Sequence, residues 1–339
     1  MNEENEAVEE VMTRLCTGYS VTQMIYVVAA LRIPDELDQG ARSAAELAQA
    51  VGCDARSLYR IMRALCALNV FRELEEKRFE LTSLGATLKS SAPQKMRALA
   101  MSYGTPWWWG AYSKLIASVM TGNSAFKLAH GMELFEYLRQ DQSASAIFHD
   151  NMEARTSQEA LAVTEAFDFS SVRRIADVGG GQGVLALTIA RANPGLSAVV
   201  FDQPSLRERA RDAIAGADLQ ARCEFVEGDF FEAISVSADL YCLKYILHDW
   251  LDDEAAQILH NCHHAMRGEG CLLVIERVLR SGNRNLSDAL FDVSMMALTG
   301  GTERTENEYR ALLARAGFTL SAIYPTSANV CILEAVPSR

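Results

Sequence analysis

The sequence predicts an α/β protein with a doubly wound, Rossmann-like sheet that follows a mostly helical N-terminal domain. A strand that runs directly into a glycine-rich turn and a helix over residues 175–191 predicts the sheet. The regular alternation of apolar runs with helical segments after this point extends that prediction. A helix–turn–helix–hairpin pattern over residues 43–81 predicts the N-terminal domain, because it is typical of a winged-helix unit.

Three parts of the chain follow from these patterns. We predict a winged-helix domain over residues 1–91, a mostly helical connector over residues 92–155 and a nucleotide-binding domain over residues 156–339. Within the first part, Ser43-Ala-Ala-Glu46 is a capping box that begins one helix. Asp54 is placed to cap the next helix, over residues 55–68.

Winged-helix units often bind DNA, and three arginines lie along one side of the second predicted helix, at Arg56, Arg60 and Arg63. The predicted wing is acidic, however, and the chain carries a net charge of -12. Such acidity disfavours nucleic acid and anionic membranes as partners. A packing or dimerisation role for this domain therefore fits the sequence better than DNA binding.

The composition indicates the cellular compartment of the protein. No apolar run is long enough to span a bilayer. The N-terminus is acidic and lacks the basic and apolar regions of a signal peptide. The eight cysteines are scattered without a C-x-x-C pair, which fits reduced thiols better than a disulfide framework. We therefore expect a cytoplasmic protein.

The connector carries candidates for an apolar ligand pocket. Its conspicuous feature is Trp107-Trp-Trp109, which either forms an interface or lines a flat pocket for an aromatic ring. Phe148, Asn151 and Met152 follow on a predicted helix, where positions 148 and 152 share a face. Simple core packing explains these three residues equally well.

The glycine-rich turn leaves two cofactors open. Gly181-Gln-Gly183-Val-Leu-Ala186 fits the looser dinucleotide pattern G-x-G-x-x-A, so NAD(P) is one candidate. Asp177, just before the turn, would repel a pyrophosphate and attract an ammonium group. Asp202 ends the second predicted strand, where an acid accepts the hydroxyls of a ribose. An ammonium and a ribose without pyrophosphate describe S-adenosylmethionine.

Ligands of open α/β sheets bind at the carboxyl ends of the strands. The predicted strands cover residues 174–178, 197–201, 223–227, 238–244 and 271–277, with a closing hairpin of residues 319–324 and 328–335. The polar residues at their carboxyl ends are Asp177, Asp202, Asp229, Lys244 and Glu276.

His248 is the candidate base, because it lies just past the fourth strand at the ligand edge of the sheet. An imidazole has an ordinary pKa of about 6.5 and is able to accept a proton from a phenol. A carboxylate behind it would fix the tautomer and stabilise the cation, and Glu276 and Glu303 are both placed for this. A metal site at Cys262-His263-His264 is disfavoured, because adjacent helix positions point in different directions.

Five ordered segments together resemble the metal-independent, class I S-adenosylmethionine-dependent O-methyltransferases. This family includes caffeic acid, acetylserotonin and bacterial phenazine and polyketide O-methyltransferases. The segments are Asp177-Val-Gly-Gly-Gly-Gln-Gly183, Phe201-Asp-Gln-Pro204, Gly228-Asp-Phe-Phe231, Leu243-Lys-Tyr-Ile-Leu-His-Asp-Trp250 and Gly300-Gly-Thr-Glu-Arg-Thr-Glu306. The winged-helix segment also resembles the dimerisation domain of the family, so the resemblance spans nearly the whole chain.

The resemblance implies a methyl transfer from S-adenosylmethionine to a hydroxyl group of a small aromatic secondary metabolite, with S-adenosylhomocysteine as product and no metal. It implies a homodimer in which the N-terminal domain of one subunit helps to wall the site of the other. Implied cofactor contacts are Asp177, Gly179, Gly181, Gly183, Asp202, Asp229, Phe230, Lys244 and Trp250. The implied catalytic residues are His248, Glu276 and Glu303. Substrate contacts are expected at Trp107, Phe148, Asn151, Met152, Asp249, Met295 and Met296.

Three other functions remain open at this level. An NAD(P)-dependent oxidoreductase would use the same sheet but would leave His248 and Glu303 without a role. A divergent relative would bind the cofactor without methyl transfer. A winged-helix regulator with a vestigial methyltransferase fold would bind DNA. Pocket residues outside the motifs vary between relatives, so the identity of the acceptor does not carry over.

Overall fold

The computed structural model of the chain describes residues 7–280, 282 and 285–338. The acidic residues 1–6, on which the expected absence of a signal peptide depends, lie outside this part. By its internal contacts the chain divides into two compact units. The first combines Met1–Trp109 with Ala146–Ala154, and the second combines Gly110–Ser145 with Arg155–Arg339. The predicted domain boundaries at residues 91 and 155 remain a prediction.

The first unit contains the predicted helices and hairpin. Its helices are α1 (Val8–Ala30), α2 (Ile33–Glu36), α3 (Ala44–Val51), α4 (Ala55–Cys66), α5 (Ser83–Ala86) and α6 (Met96–Gly104). Its strands are β1 (Arg42–Ser43), β2 (Phe71–Glu73) and β3 (Arg78–Leu81), which pair antiparallel in the order β1-β3-β2.

Local capping sets the boundaries of two of these helices. The Ser43 hydroxyl accepts a hydrogen bond from the Glu46 N–H, and the Glu46 carboxylate accepts one from the Ser43 N–H, so the predicted capping box is confirmed. The Asp54 carboxylate accepts from the Ser57 N–H at 2.8 Å and caps α4. These bonds satisfy N–H groups that have no partner inside the helix.

The helices of the rest of the chain are α7 (Pro106–Tyr112), α8 (Leu115–Thr121), α9 (Ala125–His130), α10 (Leu134–Gln140), α11 (Gln142–Ala166), α12 (Val184–Ala192), α13 (Arg207–Gly216), α14 (Asp252–Met266), α15 (Leu286–Leu298) and α16 (Glu306–Arg315). The strands are β4 (Arg174–Val178), β5 (Ser197–Asp202), β6 (Cys223–Glu227), β7 (Leu240–Lys244), β8 (Cys271–Glu276), β9 (Val278–Leu279), β10 (Arg304–Thr305), β11 (Phe318–Pro325) and β12 (Cys331–Pro337).

Seven of these strands form one sheet in the order β11-β12-β8-β7-β4-β5-β6. The pairs among β8, β7, β4, β5 and β6 are parallel, and β12 is antiparallel to both of its neighbours. The predicted doubly wound sheet with a closing hairpin is therefore confirmed. The parallel pairs place the carboxyl ends of five strands at one edge, as required for a ligand site.

Both faces of the sheet are buried. Alternate residues of the strands belong to different apolar clusters: Ala176, Val199 and Leu243 pack in one, while Ile175, Val200 and Cys242 pack in the other. This division follows from the two-residue period of a strand. Helices cover each face, which explains why the strands read as continuous apolar runs.

A short parallel pair, β9 with β10, was not predicted from the sequence. Its register joins Val278 to Arg304. This pairing brings the residues just before Arg304 next to the end of β8, and so close to Glu276.

None of the eight cysteines, all of which lie in the described residues, is disulfide-bonded. In the same residues we find no helix whose length and apolar character would allow it to cross a membrane.

Candidate active site

The glycine-rich turn lies between β4 and α12 and is tied to the next strand. The Gly179 N–H donates to the Phe201 carbonyl at 2.8 Å, and the Gly181 N–H donates to Asp202 Oδ2 at 2.7 Å. Gly183 has a φ of 83°, and a Cβ there would lie 2.6 Å from Val200 Cγ2. Only glycine therefore fits this position. At Gly181, in contrast, a Cβ would meet no atom within 4 Å, so this side of the turn is open to a ligand.

Asp202 lies at the end of β5, beside this open side. Its Oδ1 accepts from the Gln203 N–H at 2.6 Å, while Oδ2 accepts from Gly181. Burial raises the pKa of this carboxyl group, and the two backbone N–H groups oppose that effect. A carboxylate at this position suits a ribose hydroxyl, in agreement with the fold-level rule.

Asp177 lies beneath the turn rather than on its open side. It is only 2% exposed, and its Oδ2 accepts from the Ala186 N–H at 3.2 Å in the first turn of α12. Burial raises its pKa to about 7, although this hydrogen bond and the Lys244 ammonium act in the opposite direction. The carboxyl group anchors the helix in this structure, and its predicted attraction for the ammonium of a ligand remains a prediction.

Aromatic side chains cluster near the ends of β6 and β7. Phe230 and Trp250 each pack edge-on against Phe231, and the rings of Phe230 and Trp250 lie 6.5 Å apart. Asp229 is exposed and its Oδ1 accepts from the Phe231 N–H at 2.8 Å. The structure thus brings together three residues for which the resemblance implies cofactor contacts.

Lys244, at the end of β7, is buried. Its ammonium lies 2.7 Å from Glu159 Oε2 and donates to Thr156 Oγ1 at 3.2 Å. Burial lowers the pKa of Lys244, and the Glu159 carboxylate opposes this shift. In this structure the Glu159 carboxylate of α11 balances the charge of Lys244. The contact of Lys244 with the cofactor remains a prediction.

The predicted base and its two predicted acids form one buried cluster. His248 Nδ1 lies 2.7 Å from Glu303 Oε1 and 3.3 Å from Glu276 Oε2. His248 is 4% exposed, Glu276 is 0% exposed and Glu303 is 3% exposed. Both carboxylates face the same ring nitrogen, so Nδ1–H is the donor and Nε2 is left for a reacting group.

Glu276 also holds the backbone that carries His248. Its Oε1 accepts from the N–H groups of Ile246 and Leu247, each at 3.0 Å, at the start of the short 3₁₀ helix Leu247–Asp249. One carboxylate oxygen therefore fixes the turn while the other faces the imidazole. This double role explains why an acid is buried completely at the end of β8.

Glu303 is placed by a close approach of two backbones. A Cβ at Gly301 would lie 1.9 Å from the His248 carbonyl oxygen, so only glycine allows this contact. The Thr302 N–H then donates to the same carbonyl at 2.8 Å, and the Glu303 N–H donates to Asp292 Oδ1 at 2.9 Å. The motif Gly300-Gly-Thr-Glu303 thus delivers a carboxylate to His248.

The carboxylates decide the charge state of the imidazole. Burial alone lowers the pKa of His248, but the charges of Glu276, Glu303 and Asp249 outweigh it and raise the pKa to about 9. Burial also raises the pKa of Glu276 to about 7, against the attraction of His248. The cluster therefore keeps the imidazole protonated at neutral pH, and the negative charge of its acidic neighbours offsets the charge of the cation.

Asp249 lies on the other side of the ring. Its Oδ1 is 3.8 Å from His248 Nε2, the nitrogen that the other carboxylates leave free. Burial raises the pKa of Asp249 to about 6, and the His248 charge opposes that rise. An acceptor bound at Nε2 would therefore also meet Asp249.

Arg304 was not predicted from the sequence as a site residue. It is 2% exposed, and its guanidinium donates to the carbonyls of Leu247 and Trp250 at 2.8 Å each. It also bonds Asp252 Oδ1 through Nε and Nη2, at 3.0 and 2.8 Å. Arg304 thus clamps both ends of the turn that carries His248. Its place directly after Glu303 in the motif was the available signal.

The remaining predicted substrate residues are divided between the two compact units. Met295 is buried in an apolar cluster of the sheet, and Met296, beside it on α15, is half-buried. Phe291 of the same helix, which was not predicted, lies 5.6 Å from the His248 ring. Trp107, Phe148, Asn151 and Met152 belong to the first unit, and their substrate contacts remain predictions.

The imidazole and its two acids are also ligand types that a metal accepts. One ligand atom from each of His248, Glu276 and Glu303 lies within 4.8 Å of the other two. In this structure His248 Nδ1 and Glu303 Oε1 are joined directly by a hydrogen bond. The prediction that the reaction needs no metal remains a prediction.

Comparison with known proteins gives a consistent assignment. Residues 112–319 match the model of an O-methyltransferase domain, and residues 13–91 match that of an O-methyltransferase dimerisation domain. The phenazine O-methyltransferase PhzM of Lysobacter antibioticus is 36% identical over 99% of this chain and 100% of its own. The mitomycin biosynthesis 6-O-methyltransferase of Streptomyces lavendulae is 34% identical over 95% of this chain and 93% of its own.

Solved structures agree with these matches. The neocarzinostatin O-methyltransferase NcsB1, solved with S-adenosylmethionine and 2-hydroxy-5-methyl naphthoic acid, aligns with a TM-score of 0.83 and 31% identity. The alignment covers 94% of this chain and 96% of that one.

We expect Arg304→Lys to loosen the turn that carries His248, because a lysine has one nitrogen where the guanidinium uses three to reach the two carbonyls and the carboxylate. The free energy of unfolding in urea should fall by about 1–3 kcal/mol when the Trp250 carbonyl is left without a donor. The Leu247 carbonyl still accepts from the Trp250 N–H. Arg211→Lys, which changes an exposed ion pair with Glu208, is the matched control and should have little effect. Equal stabilities of the two variants would contradict the clamp.

We expect the His248 imidazole to stay protonated well above the pH at which an exposed histidine loses its proton. The imidazole resonances of wild type and of His248→Ala, followed by NMR from about pH 6 to pH 10, identify its titration. Removal of one anionic neighbour in Glu303→Gln should move the midpoint to lower pH. Glu254→Gln, an exposed position on α14, should leave it in place. A wild-type midpoint near the ordinary histidine value would refute this charge balance.

Proposed function

Because the chain belongs to the O-methyltransferase family, we propose that it methylates a hydroxyl group of a small aromatic natural product, with His248 as the general base. The observation that carries this proposal is the arrangement of the imidazole. Two buried carboxylates hold Nδ1, and Nε2 is left towards Asp249. This is the geometry of a base whose tautomer is fixed and whose cation is stabilised.

The residues present fit S-adenosylmethionine, the cofactor of this family. The open side at Gly181 lets a ligand approach the backbone, and the Asp202 carboxylate beside it suits the ribose hydroxyls. Phe230 and Trp250 offer aromatic surface near the ends of β6 and β7 for the adenine. When bound, S-adenosylmethionine supplies an electrophilic methyl group on its sulfonium.

His248 then acts on the acceptor. Its Nε2, in the neutral imidazole, would take the hydroxyl proton as the oxygen bonds to the methyl carbon. The bond from that carbon to the sulfonium sulfur would break in the same step and leave S-adenosylhomocysteine. The proton stays on the imidazole, and the Glu303 and Glu276 carboxylates stabilise the resulting charge. This step needs the neutral imidazole, which is a minor form at neutral pH because the conjugate acid has a pKa of about 9. Turnover should therefore rise as the pH increases towards that value. Positioning supplies most of the rate, since orientation alone is worth about 7–11 kcal/mol.

The surroundings of His248 suit an aromatic acceptor. Phe291 lies against the imidazole, and Met296 of the same helix is half-buried. Asp249 Oδ1, close to Nε2, is placed to accept a hydrogen bond from the acceptor. The naphthoic acid bound by NcsB1 and the phenazine named for PhzM are flat aromatic compounds. No observation favours the oxidoreductase alternative, since the relatives are methyltransferases.

We also propose that the protein forms a homodimer. On α1, Val8, Met12, Leu15 and Tyr19 fall on one helical face and are each at least 58% exposed. This segment overlaps the match to a dimerisation domain. We infer that a second copy of the chain covers this apolar stripe.

The chemical proposal is tested with purified protein, S-adenosylmethionine and a panel of hydroxylated phenazines, naphthoates and benzoates. We expect one or more acceptors to gain one methyl group by mass spectrometry. His248→Ala should lower kcat by about 10²–10⁴-fold, while the Kd for S-adenosylhomocysteine stays within about twofold of wild type, since that residue holds the proton rather than the cofactor. His260→Ala, at an exposed position of α14, is the control. Undiminished turnover in His248→Ala would remove the base assignment.

The dimer is tested by Leu15→Glu, which places a charge in the apolar stripe of α1. We expect this variant to elute as a monomer in size-exclusion chromatography with light scattering, because burying an unpaired charge is unfavourable. Thr17→Glu, on the opposite face of the same helix, should remain dimeric. A Leu15→Glu dimer as stable as wild type would show that another surface mediates the association.

A further inference from the structure

We propose that Tyr245 is a positioning residue for His248, through the face of its ring. This inference rests on the proposed function, in which His248 is the base. The two rings lie with their centroids 5.0 Å apart and their planes 8° from parallel. The Tyr245 ring is therefore stacked on the imidazole, whereas the plane of the Phe291 ring is tilted by 50° from the imidazole plane.

The backbone at Tyr245 adopts a conformation that it shares with a few other non-glycine residues of the described chain. Its φ is 54°, in the left-handed region that non-glycine residues with bulky side chains rarely adopt. Glycine would adopt this conformation without strain, yet the chain places a tyrosine there. Strain of this kind persists only where surrounding contacts hold it, and it concentrates at functional sites.

Three contacts hold the tyrosine. Its hydroxyl donates to Glu159 Oε1 at 2.8 Å, and its N–H donates to the Ile275 carbonyl at 3.2 Å. The Lys244 ammonium lies 4.0 Å from the ring centroid. Glu159 is itself fixed, because its other oxygen lies 2.7 Å from that ammonium and it is only 6% exposed.

Charged groups lie around the Tyr245 ring. Glu159 accepts the phenol hydrogen bond, while Lys244 and, at 5.9 Å, the guanidinium of Arg155 lie over the ring. The ring itself presents a flat face to His248. The carboxylates at Nδ1 fix one end of the imidazole but leave rotation about that contact open. A parallel ring removes this freedom and thereby fixes the direction of Nε2.

A double-mutant cycle tests whether Tyr245 acts through His248. Tyr245→Leu keeps an apolar side chain with the same backbone requirement but removes the ring. We expect it to lower kcat on the order of 10- to 100-fold, because a misplacement of about 1 Å costs about 10²-fold. The KM for the acceptor and the Kd for S-adenosylhomocysteine should change less than threefold. In the His248→Ala background the same substitution should lower the residual kcat less than twofold.

Tyr245→Phe is the matched control, because it keeps the ring and loses only the bond to Glu159. We expect it to retain kcat within about threefold of wild type and so to recover most of what Tyr245→Leu loses, because the ring and its other contacts remain. Should Tyr245→Leu fail to fold, as judged by its melting temperature, Tyr245→Met replaces it as the ringless variant.

An equal loss from Tyr245→Leu in the wild-type and His248→Ala backgrounds would overturn the inference, since the residue would then act on the fold as a whole. Unchanged kcat in Tyr245→Leu, or a Tyr245→Phe variant as damaged as Tyr245→Leu, would overturn it too. Full turnover in His248→Ala alone would instead refute the base assignment, so the two failures are distinguishable.

Discussion

The contact between His248 Nδ1 and the two buried carboxylates of Glu303 and Glu276 is the constraint around which the active edge is built. Two acids and an imidazole with almost no exposure are costly to desolvate, and their mutual attraction offsets this cost only in good geometry. Each neighbouring feature supplies that geometry. Glu276 holds the turn through its second oxygen, and Gly301 lets the loop of Glu303 reach the His248 backbone.

The same constraint explains features that have no direct part in the chemistry. Arg304 is buried at this turn, where it donates to the Trp250 carbonyl and, beside the Trp250 N–H, to the Leu247 carbonyl. The short pair of β9 and β10 exists where Glu303 must meet the end of β8. Tyr245 adopts a left-handed backbone at the end of β7, where the chain leaves the sheet and begins the turn. These features all hold the turn that carries His248.

Much of the site was predictable because its parts are local in the sequence. The glycine-rich turn, the acid at the end of β5 and the histidine after β7 each follow an apolar run, and parallel strands bring their ends together. The pairing of His248 with Glu276 and Glu303 was predicted from residue type and strand position. Arg304 and Tyr245 were missed, because their roles depend on backbone groups and ring planes that no residue pattern displays.

The sequence by itself determined the fold class, the family and the order of the strand ends, because apolar periodicity and motif spacing are properties of the chain alone. Only the tertiary structure decided that Asp177 anchors α12, that Lys244 pairs with Glu159, and that two carboxylates share one imidazole nitrogen. These facts depend on which groups are buried together. Burial determines both the partner that each charge must find and the proton that it holds, and it exists only once the chain has folded.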